Sequence, residues 1–278
     1  MTTKLEGWAI PVEKEGPFAH ADHTFVKSSD GKKWGCWGRD KGGQKICEGK
    51  GDSNKADCLS SPRGTALLVY AVTGVCHQTA NRILRPSRKT VSKAQAYAAS
   101  WALYGAYGGT NKALSPEWKT HEAICGIWDW RPDPLYLPED PERDHHFEAV
   151  HIAHSNMAKA VDARRASVSE AVDEVRKMEL EALVRSRIES GLTPNKLTSI
   201  ASSRADMLAE LEPALMALAG PESILDSAQR ANKLLNDFLV SVARTLEADE
   251  FRALFDVDPG TQVIVAEPHI VSSWIQGH

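Results

Sequence analysis

Apolar and polar positions alternate along residues 20–38 as they do in a two-stranded hairpin. His23-Thr24-Phe25-Val26 is β-prone, Ser28-Ser29-Asp30-Gly31 is a turn sequence, and Lys33-Trp34-Gly35-Cys36-Trp37 can return as a second strand. Residues 40–63 are polar and carry Gly42, Gly43, Gly49 and Gly51, which predicts a long loop. The apolar run 65–72 suits a buried helix and a buried strand equally, because periodicity does not separate the two. Gly74 breaks it. From Cys76 to Leu84 the pattern is helical, with Pro86 as its stop, and 92–107 is a second helix candidate closed by Gly108 and Gly109.

Pro132, Pro134, Pro138 and Pro141 mark a linker, beyond which the pattern changes. Val150, His154, Met157, Val161, Val168, Val172, Val175 and Ala182 fall on a three-and-four spacing. This predicts one apolar stripe on a helix of roughly 45 residues, ~68 Å long at 1.5 Å per residue. Such a length points to an antiparallel coiled-coil arm or bundle, with homo-oligomerisation through the C-terminal helices. Gly191 stops the helix, and Thr193-Pro194 opens the next as cap and first-turn proline. Pro221 starts a third helix, carrying Ile224, Leu225, Ala228, Leu235, Leu239 and Val242. A short helix from Asp249 to Phe255 leads through the turn Asp258-Pro259-Gly260 to a final strand at 262–266. The expected fold is an α+β domain at 1–140, a β-hairpin plus helices, followed by a long-helix bundle or coiled-coil half at 141–278.

Composition narrows the class. The chain has 278 residues, 42% hydrophobic and 25% charged, which is globular and long enough for one large or two ordinary domains. A formal charge of -4 and a pI near 6.2 argue against a nucleic-acid surface, which carries a basic excess. No stretch approaches the ~20 apolar residues of a membrane helix, so no membrane partner is expected. Met1 to Trp8 contains no apolar signal core, and a cytoplasmic location is expected. Five cysteines, an odd count, predict free thiols in a reducing compartment. All five lie in the first 125 residues, and seven of the eight Trp lie before Arg131.

Candidate chemistry centres on Thr73-Gly74-Val75-Cys76-His77-Gln78-Thr79-Ala80-Asn81. A thiol attacks as thiolate, and the positive end of a helix lowers its pKa. Glycine ahead of it permits a sharp turn, and first-turn amides can bind an oxyanion. Gln78 and Asn81 follow as candidate oxyanion or substrate-binding side chains. His77 is adjacent in sequence and points about 100° away on a helix. His23, on a strand beside Asp22, is therefore the better base, with His20 as a second candidate. The competing reading makes Cys76 a small buried hydrophobe.

A histidine heading a β-hairpin, followed later by a cysteine opening a helix, resembles the circularly permuted NlpC/P60-type enzymes of the papain-like class. The elements that carry the resemblance are His23-Thr24-Phe25-Val26 and Gly74-Val75-Cys76-His77, within residues 18–85. It implies hydrolysis or transfer of an amide, ester or thioester through an acyl-enzyme, with Cys76 as nucleophile, His23 as base and no cofactor. It also implies a third polar residue orienting the histidine; Asp30 and Asp40 lie on or after the returning strand.

Three other groups of residues resemble ligand sets. Cys36, Cys47 and Cys58 are evenly spaced but lack the close pairing of structural zinc sites, so ordinary thiols are expected. Glu148, His151 and His154 share one side of a helix, and Glu-x-x-His is a di-iron motif, but the chain has no second copy. Asp256 to Glu267 imitates a calcium loop with its glycine misplaced. Two rivals to the hydrolase remain: a non-enzymatic helical assembly protein, and a His/Glu metalloprotein.

Overall fold

The computed structural model describes residues 3–12, 21–36, 41–60, 64–109, 116–127, 144–162, 168–216 and 221–266. The architecture is mixed α+β. A four-stranded antiparallel sheet is built from β1 (Thr3–Pro11), β2 (Asp22–Ser28), β3 (Lys33–Trp34) and β4 (Gln44–Gly51), in the order β3-β2-β1-β4. Along β1, Leu5, Gly7 and Ala9 turn inward while Lys4, Glu6 and Trp8 turn outward, the period of two expected of a half-buried strand. Gly7 is dictated by packing, since a Cβ there would lie 2.5 Å from Cys47 Sγ.

The hairpin of β2 and β3 forms as expected, with Val26 opposite Trp34. Residues 40–63 are not a loop. They supply β4 and then α1 (Ser53–Ser60), which buries Ala56 and Leu59. β4 pairs only with β1, and as an edge strand it exposes Gln44, Lys45 and Lys50 instead of alternating apolar residues. The run 65–72 is neither helix nor strand. It is a series of tight turns with Ala66, Leu67 and Ala71 at positive φ, joined by a single bridge between Tyr70 and Gly74.

Helix α2 (Cys76–Leu84) follows as expected and ends in a 3-10 turn, Arg85–Ser87, around Pro86. Helix α3 (Tyr97–Tyr104) is shorter than 92–107 and stops at Gly105, φ 71°. Helix α4 (Pro116–Ile124) is tied to α1 by a Cys58–Cys125 disulfide, Cα–Cα 5.5 Å, which corrects the expectation of five free thiols. Those cysteines are 67 positions apart, a separation at which local sequence carries no sign of pairing.

The single 45-residue helix is also corrected. It is two helices, α5 (His145–Asp162) and α6 (Val168–Arg187), lying side by side. His154 Nε2 meets Glu179 Oε1 at 2.6 Å, joining the middle of one helix to the middle of the next, so the pair is an antiparallel hairpin. Thr193 Oγ1 accepts from Lys196 N (3.4 Å) to open α7 (Pro194–Met216). Then come α8 (Pro221–Ala243) and α9 (Ala248–Phe255), close to their expected limits.

The expected C-terminal strand joins no sheet among the described residues. Segment 262–266 lies along α8, where side chains take the place of a partner strand. Asn236 Oδ1 accepts from Val263 N (2.9 Å) and its Nδ2 donates to Val263 O (2.9 Å). Asn232 bonds Val265 N, Ala266 N and Ala266 O in the same manner. The linker at 132–141 lies outside the described residues.

Both parts of the sequence feed one buried cluster, which runs from Leu5 and Tyr97 through Leu183 and Leu208 to Leu235 and Phe251. Arg204 on α7 stacks its guanidinium 4.2 Å from the Trp101 ring and donates to Ala102 O at 2.8 Å, tying α7 to α3. Among the described residues no helix is long and apolar enough to cross a membrane.

Candidate active site

Cys76 is the first residue of α2, and its sulfur faces the start of β2. As a thiol it donates to Asp22 O at 3.6 Å. Cys36, just beyond β3, and His23, on β2, are both hydrogen-bonded to the same sulfur. The hairpin thus brings one strand's histidine and the other strand's cysteine onto one helix terminus. Two of the sequence candidates, Cys76 and His23, are brought together. His20 and Asp40 lie outside the described residues, and Asp30 is held in the hairpin turn by Ser28 and Ser53.

Cys76 is buried, as a core thiol is, but its neighbours are polar. The Cys36 hydrogen bond, aided by the positive charge available on His77 and His23, holds the Cys76 thiol well below its ordinary range against the opposing effect of burial. Cys47 shows the contrast: half-buried over Gly7, it is pushed up to about 12, chiefly by desolvation. Burial raises Asp22, partly offset by the hydrogen bond that its carboxylate accepts from Gln95 N at 2.8 Å.

His77 was expected to point away, yet it lines the cleft beside Cys76. The 100° between successive helical residues does not separate them here, because β2 and the 92–96 turn wrap the first turn of α2. Its Nδ1 lies 2.8 Å from Ser100 Oγ, and burial lowers its pKa. Gln78 and Asn81 do not face the cleft. Gln78 Oε1 accepts from Val75 N (3.1 Å), the reach-back half of a capping box, and its Nε2 donates to Gly105 O (3.0 Å). Asn81 accepts from Val91 N and donates to Ala106 O, each at 2.8 Å.

Val75 precedes the helix and has no polar side chain, so it cannot cap the first-turn amides that Ser, Asp or Asn would occupy. Those N–H groups, beside the sulfur, are the oxyanion donors the site has to offer. The cleft is nearly closed, about 10 Å³, room for roughly one water. Ile264 and Val265, from the segment pinned by Asn232 and Asn236, form part of its wall.

Glu148, His151 and His154 do not converge. His154 is taken by Glu179, His151 stacks on Phe147 with centroids 5.9 Å apart, and Glu148 lines a separate groove. No group of three potential metal-ligating side chains is formed among the described residues. Comparison of the chain with protein-family models, curated proteins and solved structures gave no match.

Proposed function

We propose that the cleft is the catalytic centre of a cysteine-nucleophile hydrolase or acyltransferase, acting on an amide, ester or thioester of a small molecule or peptide. The observation that carries this reading is a thiol at a helix N-terminus, hydrogen-bonded by both Cys36 and His23. The Cys76 thiolate attacks the acyl carbon, and a C–S bond forms as charge moves to the carbonyl oxygen beside the first-turn amides of α2. His23 gives a proton to the leaving group as the scissile bond breaks. It then takes one from water, or from another acceptor, whose oxygen displaces sulfur from the acyl-enzyme. Entry requires displacement of the 262–266 segment, and no cofactor takes part.

The hairpin-then-helix arrangement supports the circularly permuted papain-like architecture for the N-terminal part. The C-terminal helices serve as an antiparallel bundle for self-association, with Val240, half-exposed on α8, on the contact face. Sedimentation over a concentration series should show a dimer that Val240→Asp weakens. A monomer at every concentration removes this element.

Turnover should be sought with the full chain against p-nitrophenyl esters, thioesters and peptide amides. Cys76→Ala is expected to reduce any turnover at least ~10³-fold with an unchanged circular dichroism spectrum. Activity that survives Cys76→Ala rejects the proposal. The closed cleft favours one alternative, a non-enzymatic assembly protein whose Cys76 is structural.

A further inference from the structure

Among the described residues a cavity much larger than the cleft at Cys76 lies elsewhere. It is an open groove of about 1080 Å³ between β4, the 89–93 turn, α5, α6 and α9. Its charge is unevenly neutralised. The carboxylates on its wall are engaged: Asp144 accepts from Thr90 N (2.6 Å) and Thr90 Oγ1 (2.7 Å) and caps Phe147 N (2.9 Å). Asp256 pairs with Arg187, and Glu48 with Lys4 and Lys45. Glu148, the fourth carboxylate on the wall, is also engaged. Lys89, Lys93 and Arg185 also line the groove, and none has an ion-pair partner among the described residues. Lys89 is only 7% exposed, its stem laid over Gly49, where a Cβ would come within 2.9 Å of it. The covered stem leaves the ammonium, which forms no ion pair among the described residues, at the groove.

A second group asks for the same chemistry. His146, 1% exposed, contributes to the groove wall, and its Nδ1 has no hydrogen-bond partner. Its tautomer follows from the groups behind it. Asn81 Nδ2 can only donate, so at 3.0 Å it makes the Tyr97 oxygen an acceptor. The Tyr97 proton must then go to His146 Nε2, 2.9 Å away. With burial holding the imidazole neutral, the ring's own proton sits on Nδ1. On the groove wall His146 therefore carries an N–H donor without a partner among the described residues, near cationic groups that form no ion pair there.

We propose that this groove is a binding site for a small organic anion, its phosphate or carboxylate placed among Lys89, Lys93 and His146 and its apolar body against Ile46 and Ile152. The site stands independently of Cys76, so its test is a binding test that Cys76→Ala protein should pass unchanged.

Phenyl phosphate, benzoate and phenol are titrated into the full chain by calorimetry, with the His146 Nδ1–H resonance followed by NMR. At least one of the two anions should bind saturably and shift that resonance, while phenol does neither. Tighter phenyl phosphate assigns a phosphate ester, and tighter benzoate a carboxylate. Lys89→Met should weaken binding at least tenfold, and the surface pair Lys93→Met with Arg185→Gln should do so without touching a buried residue. The proposal is overturned if neither anion saturates, if phenol binds as well as they do, or if the surface double variant binds as the parent does.

Discussion

Cys76 is expected to be alkylated by iodoacetamide near neutral pH with a rate profile that has already levelled off, whereas Cys47 stays inert until strongly alkaline solution. The sign follows from the environments. A lowered pKa populates the thiolate at lower pH, and the Cys47 thiol, pushed up to about 12, does not ionise in the same range. Cys36→Ala should move the Cys76 midpoint up most, since its hydrogen bond is the largest contribution, and His23→Ala should move it in the same direction. Access is a separate variable. Asn232→Ala or Asn236→Ala loosens the segment carrying Ile264 and Val265, so each should raise the labelling rate while leaving the midpoint where it was. A midpoint near the free-thiol value of ~8.5 in the parent protein would mean that the thiol is structural.

The second large effect concerns stability. Arg85 Nε donates to Glu122 Oε1 at 2.8 Å, with both side chains only 3% exposed, and the guanidinium also lies 5.0 Å from the Tyr107 ring. Arg85→Met strands a buried carboxylate, and Glu122→Leu strands a buried guanidinium. Each is expected to cost about 3–5 kcal/mol, a Tm drop of roughly 6–20 °C for a chain of this size. The double variant should cost less than the sum, because neither charge is then left alone. Strictly additive losses in thermal or urea unfolding would show that the two charges do not support one another.

The readable parts of the sequence were those with local causes. Thr193-Pro194 and Pro221 mark helix starts by cap and proline chemistry, and Ser28 to Gly31 marks a turn. The α2 start was legible from Gly74 and Cys76, and with it the pairing of Cys76 and His23. Long-range causes were not legible. β4 has the composition of a loop because among the described strands it pairs with β1 alone, as an edge strand. The run 65–72 is apolar because all of it but Leu67 and Val69 is buried, and its positive-φ alanines follow no propensity. The sequence between α5 and α6 holds neither glycine nor proline, and the apolar stripe continues into α6 because both helices bury facing sides. Cys36 and His77 reach the site through strand return and wrapping, which no local pattern reveals.

The Cys58–Cys125 bond turns part of this chain into a covalent ring. Within that ring lie α2 and α3, and with them Cys76 and His77. Closing a circle of this size removes unfolded-state freedom equivalent to about 4 kcal/mol in the chain-entropy treatment. A cut at any one peptide bond inside the circle leaves both pieces attached, so a nicked molecule runs at full mass until a thiol reductant is added. The helix bearing Cys76 is thus held to its scaffold at two points, and the rest of the protein departs from the ring as two tails, one from α1 and one from α4.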